Sequence, residues 1–368
     1  MKVAVLGAGI VGTAVAWRLA EAGADVLVVD VSQPGAAATG ASLAWANASS
    51  AASEDYFALR VAGLDEHRLI SKQLQGDWTL ASGHLQWADT QPETEALRDR
   101  YTRLRSRGYP AELLNPAEAS ASLEPSVRFA GPEHPVLHTP DEPAIDAPAM
   151  ARRLLRAAVT CGAVPALGKP VRSLTVRGGR VAAVVVGDTS HGVDAVINAA
   201  GANAHHLADM AGRRLPLRDE PGLVARLYCD PVPVRHTMHA PGIEIRPDGP
   251  RQVLLHSRAV DAQLSPDGYP HDQHIDDLCR RAADIVPELA AAELRDARVG
   301  WRPVPQDGWP SVGGLASIPG YYEAVTHSGV TLAGIIAKLL TEEILTGTVH
   351  PLLAPFRPDR DGLRPTHT

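Results

Sequence analysis

Apolar residues in this chain switch between two spacings, and the switches mark out its elements. Val3 to Leu6 is a short unbroken apolar run, as in a strand buried on both faces, and Ala24 to Asp30 reads as a second. Between them, Ile10 to Ala22 carries Val11, Ala14, Val15 and Leu19 on one face at helical spacing. Strand, helix and strand in that order open a βαβ unit. Ser32 to Ser50 is rich in small residues without a period and reads as a functional loop, whereas Ser53 to Gln75 recovers helical spacing through Phe57, Val61, Leu64 and Leu69.

Farther on, a strand is expected at His84 to Trp87, with helices at Glu93 to Arg107, Pro116 to Leu123 and Asp146 to Cys161. Val171 to Val176, Arg180 to Val186 and Ala195 to Asn198 read as strands, separated by Gly178-Gly179 and by a break at Asp188 to Gly192. Gly222 to Cys229, Gly242 to Arg246 and Gln252 to Ser257 alternate as a sheet that would roof a site, and a helix follows from Asp272 to Val286. The chain then gives a strand at Tyr321 to Val325, a turn at His327 to Gly329, a helix to Leu345 and an extended tail from His350. The pattern predicts an α/β fold. A Rossmann-type dinucleotide domain with a central parallel sheet would take 1–50, 141–215 and 303–350. An α+β substrate domain with a mainly antiparallel sheet would take 51–140 and 216–302, leaving 351–368 as a tail.

Composition narrows the partners. With 35 Lys+Arg against 42 Asp+Glu the net charge is -7, which gives no general attraction to nucleic acid or anionic lipid. No apolar run reaches the roughly 18 residues of a membrane span. Cys161, Cys229 and Cys279 are scattered and odd in number, which fits a reducing cytoplasm better than a disulfide framework. His271 with His274, and His236 with His239, have the spacing of metal pairs but lack further ligands, so no metal is expected.

Gly7-Ala8-Gly9-Ile10-Val11-Gly12 follows a strand and opens a helix, and Asp30 ends the next strand. The first glycine makes the turn, the second lets backbone approach a pyrophosphate, and the third permits close helix-to-strand packing. Pyrophosphate would sit on the helix N-terminus beside the N–H groups of Ile10 and Val11, and Asp30 would accept from a ribose diol. This fingerprint alone does not separate FAD from NAD.

The remaining motifs do. Ala38-Thr39-Gly40-Ala41-Ser42 with Trp45-Ala46-Asn47-Ala48, then Ala195-Val196-Ile197-Asn198-Ala199-Ala200-Gly201, Gly300-Trp301-Arg302-Pro303, and Thr326-His327-Ser328-Gly329-Val330-Thr331-Leu332 follow in order. This succession resembles the D-amino-acid oxidase-like flavoproteins, which include glycine oxidase and sarcosine oxidase, over nearly the whole chain. The resemblance implies FAD beside Thr39, Ala41, Ser42, Val171, Ala200, Gly201, Arg302, Ser328, Gly329, Val330 and Thr331. It also implies a small amine or amino-acid substrate, and oxygen or an electron carrier as acceptor.

The chain departs from the family pattern in having Asp30 for a frequent glutamate, Thr326 for a usual glycine, and no basic residue between Ser32 and Ser42. No cysteine follows Cys279, so the flavin attachment seen in sarcosine-oxidase-like members has no counterpart and FAD is expected to be noncovalent. Sarcosine-type oxidases also carry a lysine beside the flavin. Lys2, Lys72, Lys169 and Lys338 all fall outside the flavin motifs, which leans toward a dehydrogenase unless folding brings Lys72 or Lys169 close.

For catalysis, Arg302 matches the family's anchor for a substrate carboxylate, with pairing to an acid such as Asp307 as the alternative. His327 would bond flavin or relay a proton, or serve structure alone. His256 would face the pocket from the roof or simply pack. Ser328 would cap the last helix, whose N-terminus would stabilise reduced flavin. Oxidation of the C–N bond of an amino acid or amine is the expected activity. A dehydrogenase or tailoring enzyme for a larger or cyclic amine, an NAD-linked enzyme and a noncatalytic flavoprotein are the alternatives.

Overall fold

The computed structural model describes residues 1–51, 53–81, 83–265 and 268–363. β1 (Lys2–Leu6), α1 (Ile10–Glu21) and β2 (Asp25–Asp30) form the expected βαβ unit, with β1 and β2 parallel. β1 lies inside a six-stranded sheet ordered Ser311–Gly314, Tyr321–Val325, Ala195–Asn198, β1, β2, Val164–Leu167. Its first strand alone runs antiparallel to its neighbour. The central strands are buried on both faces, which is why they read as unbroken apolar runs.

α1 is buried nearly all round, with Ala14, Val15, Trp17 and Leu19 at most 2% exposed. The Ala147–Thr160 helix and the Gly329–Thr346 helix pack against it. Removing each such large side chain from water contributes roughly 1.5–3 kcal/mol. α2 (Glu54–Leu74) starts where Ser53 Oγ accepts from Tyr56 N, and it ends at Gln75 in the left-handed region, φ 48°. Its buried stripe includes Phe57, Arg60, Leu64 and His67 and faces the Gly329–Thr346 helix.

The second sheet has eight strands in the order Glu293–Trp301, Pro221–Tyr228, Gln252–His256, Ile243–Pro247, Thr237–Ala240, His84–Gln86, Val136–Thr139, Glu112–Leu114. All neighbours are antiparallel except the parallel pair Thr237–Ala240 and His84–Gln86. The fold is therefore the mixed α/β arrangement of a parallel and a mainly antiparallel sheet.

Many short strands escape the sequence pattern, among them Glu112–Leu114, Val136–Thr139 and Thr237–Ala240 of the second sheet. Thr189–Gly192, expected as a break, pairs antiparallel with Ala183 to Val186. Val164–Leu167 and Ser311–Gly314 are short edges of the parallel sheet, and Glu293–Trp301 is a polar edge paired on one side only. The last segment also differs from an extended tail. Pro351–Phe356 is 3₁₀-helical because Leu353 and Phe356 insert into the core, while Arg357 bonds Glu343 and Arg360 bonds Asp307. Residues 364–368 of the expected tail lie outside the described residues.

The two sheets meet at the small-residue loop, and one buried acid holds it. Glu142 is wholly buried and accepts from Ala48 N (2.8 Å), Ser49 N (2.7 Å), Ser49 Oγ (2.8 Å), Tyr109 OH (2.8 Å) and Thr139 Oγ1 (2.9 Å). Burial and the adjacent Glu142 charge both raise the Tyr109 pKa, so the phenol stays a donor. Glu142→Leu is expected to cost on the order of 3 kcal/mol or more by leaving these donors unpaired. Urea unfolding checks this, and a midpoint equal to wild type would show that the loop is held by other contacts.

Candidate active site

The glycine loop is built to stay open. Gly7 has φ 115°, and a Cβ there would lie 2.3 Å from Ala199 O; one on Gly12 would lie 1.9 Å from Gly7 O. Gly9 is the N-cap of α1 and brings no capping side chain. Asp30 Oδ2 accepts from Ala8 N (2.7 Å), and its Oδ1 accepts from Ser32 N (2.8 Å) and Ser32 Oγ (3.1 Å). The carboxylate thus fixes the loop and keeps acceptor capacity for a diol. Thr39 Oγ1 accepts from Ile10 N at 3.1 Å, which brings the small-residue loop to the same helix end.

A second helix N-terminus converges there. A Cβ on Gly329 would sit 3.3 Å from a Val11 methyl. The sequence suggested that Ser328 caps this last helix, but it makes no side-chain cap. Its Oγ accepts instead from Arg60 Nη2 (2.6 Å) and Tyr56 OH (2.8 Å), and its N–H goes to Thr326 Oγ1 (3.1 Å). The amides of Gly329 and Val330 are thereby left without a side-chain partner at the positive end of the helix dipole. Thr331 Oγ1 accepts from Asn47 N (3.1 Å) and so pins the loop to that helix.

The end of the small-residue loop and the start of the Gly329–Thr346 helix form the floor of a cleft of about 1220 Å³ lined by Ala41, Ser42, Trp45, Ser328, Val330 and Thr331. Ala44, φ 53°, turns the chain before Trp45, which stacks on His84 with ring centroids 4.0 Å apart. Ala41 fits beneath the roof because residue 300 is glycine: a Cβ on Gly300 would lie 2.7 Å from the Ala41 methyl.

The roof is charged. His239, Glu244 and His256 stand in cross-strand register on three adjacent strands. Glu244 Oε2 bonds His256 Nδ1, and Asp261 Oδ2 lies 2.8 Å from His256 Nε2. Burial opposes the imidazolium, but the hydrogen bonds that His256 donates to Asp261 and Glu244 raise its pKa to about 9. Burial also opposes ionisation of Asp261 and Glu244, yet bonding to His256 lowers both. His239 is held down to about 4 by burial, followed by the Arg100 and His256 charges, with Glu244 opposing. His327 is exposed to the cleft. Desolvation, then Arg302, Arg60 and Arg258, lower its pKa to about 4, so it is neutral at pH 7.

Arg302 reaches the cleft beside Gly222, whose missing Cβ would lie 2.3 Å from Arg302 Nη2. Nη2 is bonded to Asp261, and Nη1 donates to Pro221 O at 3.2 Å. An acid does pair with Arg302, but it is Asp261; Asp307 is taken by Arg360 at 2.8 Å. Ala200 and Gly201 follow the strand beside β1, whereas Val171 begins the outer strand of a separate three-stranded sheet. Lys72 and Lys338 open onto another depression, of about 720 Å³, between α1, α2 and the Gly329–Thr346 helix, and among the described residues no lysine lines the cleft. His236 bonds Glu124 at 2.8 Å and His271 approaches Ser265 at 3.3 Å.

Sequence reading missed Arg60, Arg100, His239, Glu244, Arg258 and Asp261. For Arg60 a signal existed: it interrupts the apolar stripe of α2 between Phe57 and Leu64, and a charge on a buried face demands a partner. Arg100, which donates to Ser49 O and Ser49 Oγ at 2.9 Å, and the roof residues depend on contacts distant in sequence.

A glycine cradle, two helix N-termini and an enclosed charged cleft define a dinucleotide-dependent oxidoreductase. The family model for FAD-dependent oxidoreductases matches residues 2–343, and the chain belongs to that family. It is 26% identical over 375 residues to glycine oxidase of Geobacillus kaustophilus, covering 96% of this chain and 95% of that protein. It is 26% identical over 379 residues to D-amino acid dehydrogenase of Paramagnetospirillum magneticum, covering 85% and 87%. The crystal structure of glycine oxidase from Geobacillus kaustophilus superposes with a TM-score of 0.88 at 24% identity, covering 97% of this chain and 98% of that one.

Two outcomes follow from this geometry. Gly12→Val, which drives a side chain into Gly7 O, is expected to give protein without FAD, read as loss of flavin absorbance after purification. His256, whose pKa is raised in the fold, stabilises fully below its ordinary value of 6.5 and loses that contribution as pH rises through about 9. The stability difference between wild type and His256→Gln should therefore shrink from pH 6 to about pH 10; a constant difference would show that His256 is not charged.

Proposed function

We propose that the protein oxidises the C–N bond of an amino acid or related amine, with noncovalently held FAD as hydride acceptor. The observation that carries this reading is that the glycine-opened start of α1 meets the uncapped Gly329–Thr346 helix end, which borders a cleft whose opposite wall is charged. FAD supplies a ring that takes hydride from the carbon bearing nitrogen, leaving an imine that water hydrolyses.

The remaining work falls to this chain. Residues 1–50, 141–215 and 303–350 would hold the cofactor, and 51–140 with 216–302 would enclose the substrate. The amides of Gly9, Val11 and Gly12 would bind pyrophosphate and Asp30 the ribose, while Gly7, Ala8 and Ile10 donate theirs to Val29, Asp30 and Thr39. Thr39, Ala41, Ser42, Ala200 and Gly201 would enclose the middle of the cofactor, with Val171 at greater remove. The amides of Gly329 and Val330 would stabilise negative charge on the ring without a cationic side chain. His327, neutral and open to the cleft, would hydrogen-bond the ring or substrate. Noncovalent binding is supported by Cys161, Cys229 and Cys279 all standing outside the cleft, and their unpaired state fits a cytoplasmic protein.

A second reading concerns the electron acceptor. The relatives named above are an oxidase and a dehydrogenase, and a cleft lining without lysine among the described residues favours a carrier over oxygen.

An anaerobic absorbance scan against D-amino acids, glycine, sarcosine, L-proline and larger amines tests the reading. Bleaching of the flavin band is expected with one amine class, and slow return of colour in air would mark a dehydrogenase. A yellow protein that none of these amines bleaches would turn the reading toward an unusual tailoring substrate or a noncatalytic role. Flavin that stays with acid-precipitated protein would refute noncovalent binding.

A further inference from the structure

The turn Ser257 to Asp261 delivers two opposite charges to one wall of the cleft, and the described structure pairs only one of them. Ser257 Oγ caps the turn by accepting from Val260 N. Asp261, at its end, has a side chain 7% exposed, and its Oδ1 accepts from Leu223 N at 2.8 Å. Its Oδ2 receives both His256 Nε2 and Arg302 Nη2, which lie 2.6 Å apart and point at the same oxygen.

Gripping a carboxylate in bidentate fashion takes two parallel N–H groups from one guanidinium. On Arg302 both terminal nitrogens are engaged, Nη2 by Asp261 and Nη1 by Pro221 O. A substrate carboxylate would compete at Nη2 with Asp261, a buried acid fixed from three directions whose charge already neutralises this arginine. Within the group Glu244, His256, Asp261 and Arg302, two negative charges meet two positive ones. Arg258, three residues before Asp261, is exposed, lines the cleft and has no acidic partner among the described residues. It leaves the roof with a surplus positive charge beside a closed arginine.

We propose that Asp261 determines specificity by filling the carboxylate seat on Arg302, and that Arg258 binds the substrate's anionic group in its place. The substrate class is then an amine carrying a carboxylate that reaches the Ser257 to Asp261 turn. The inference rests on the amine-oxidation reading, and its test separates the two. Benzoate, which has no C–N bond to oxidise, is titrated into the FAD-loaded protein by calorimetry.

Arg258→Ala, an exposed change, should weaken benzoate binding about tenfold or more, with Arg258→Lys restoring part of it. Asp261→Asn keeps the side-chain shape and the acceptor for Leu223 N while releasing Arg302, so it should tighten binding about fivefold. With a reducible amino acid, Arg258→Ala should raise KM and leave kcat near wild type. Wild-type affinity in Arg258→Ala, with binding abolished in Arg302→Ala, would overturn the proposal. So would undetectable benzoate binding in wild type and Asp261→Asn alike. If benzoate behaves as stated but no amine reduces the flavin, the amine-oxidation reading fails while the assignment of Arg258 and Asp261 stands.

Discussion

The buried carboxylate of Glu142 is the contact on which the rest of the site depends. The loop from residue 32 to 50 has no regular hydrogen-bond ladder of its own, so its amides need partners from elsewhere. Glu142 supplies two of them, and through Tyr109 and Thr139 it ties the same point to the antiparallel sheet. Once the loop is placed, Trp45 stacks on His84, and His84 Nε2 shares a hydrogen bond with His239 Nδ1 at 2.8 Å. Floor and roof of the cleft are set by one network rather than by two independent halves.

That network also sorts the histidines by charge. His256 stays protonated although buried, because a carboxylate meets each ring nitrogen. His239 and His327 lack a carboxylate on each ring nitrogen, and desolvation followed by the charges of nearby cations takes their protons. Desolvation opposes the charged form in each of the three, and the two carboxylates on His256 reverse the outcome there. The cleft therefore presents a fixed imidazolium in its wall and a neutral imidazole at its opening, a division of labour that burial alone could not produce.

How far the sequence foretold this depends on the range of the contacts. The glycine loop, α1 and β2 were legible because their reasons are local: a period, a turn and a helix end within one βαβ unit. Arg302 and His327 could be placed near the cleft by the order of motifs, and His256 only as one of two readings of a roof strand. The partners that determine what those residues do could not. Asp261 meets Arg302 across 41 positions and Glu142 meets Ser49 across 93, distances over which no spacing rule operates. Glu293–Trp301 was invisible for a different reason: an edge strand can remain polar on both faces, so the alternation that reveals central strands never appears.

The two walls of the cleft also differ in how freely they can change. On the cradle side the limits are backbone clearances: a Cβ at Gly7 or Gly12 would approach carbonyl oxygen to 2.3 or 1.9 Å, and no rotamer relieves such an overlap. On the roof side the limits are pairings between side chains, where Asp261, Arg302, His256 and Glu244 satisfy one another. Exchanging one charge there alters which ligand groups find a partner while leaving the backbone in place. Cofactor binding is thus tied to the part of the fold least able to vary, and substrate choice rests on a short turn that can be rewritten by a single residue.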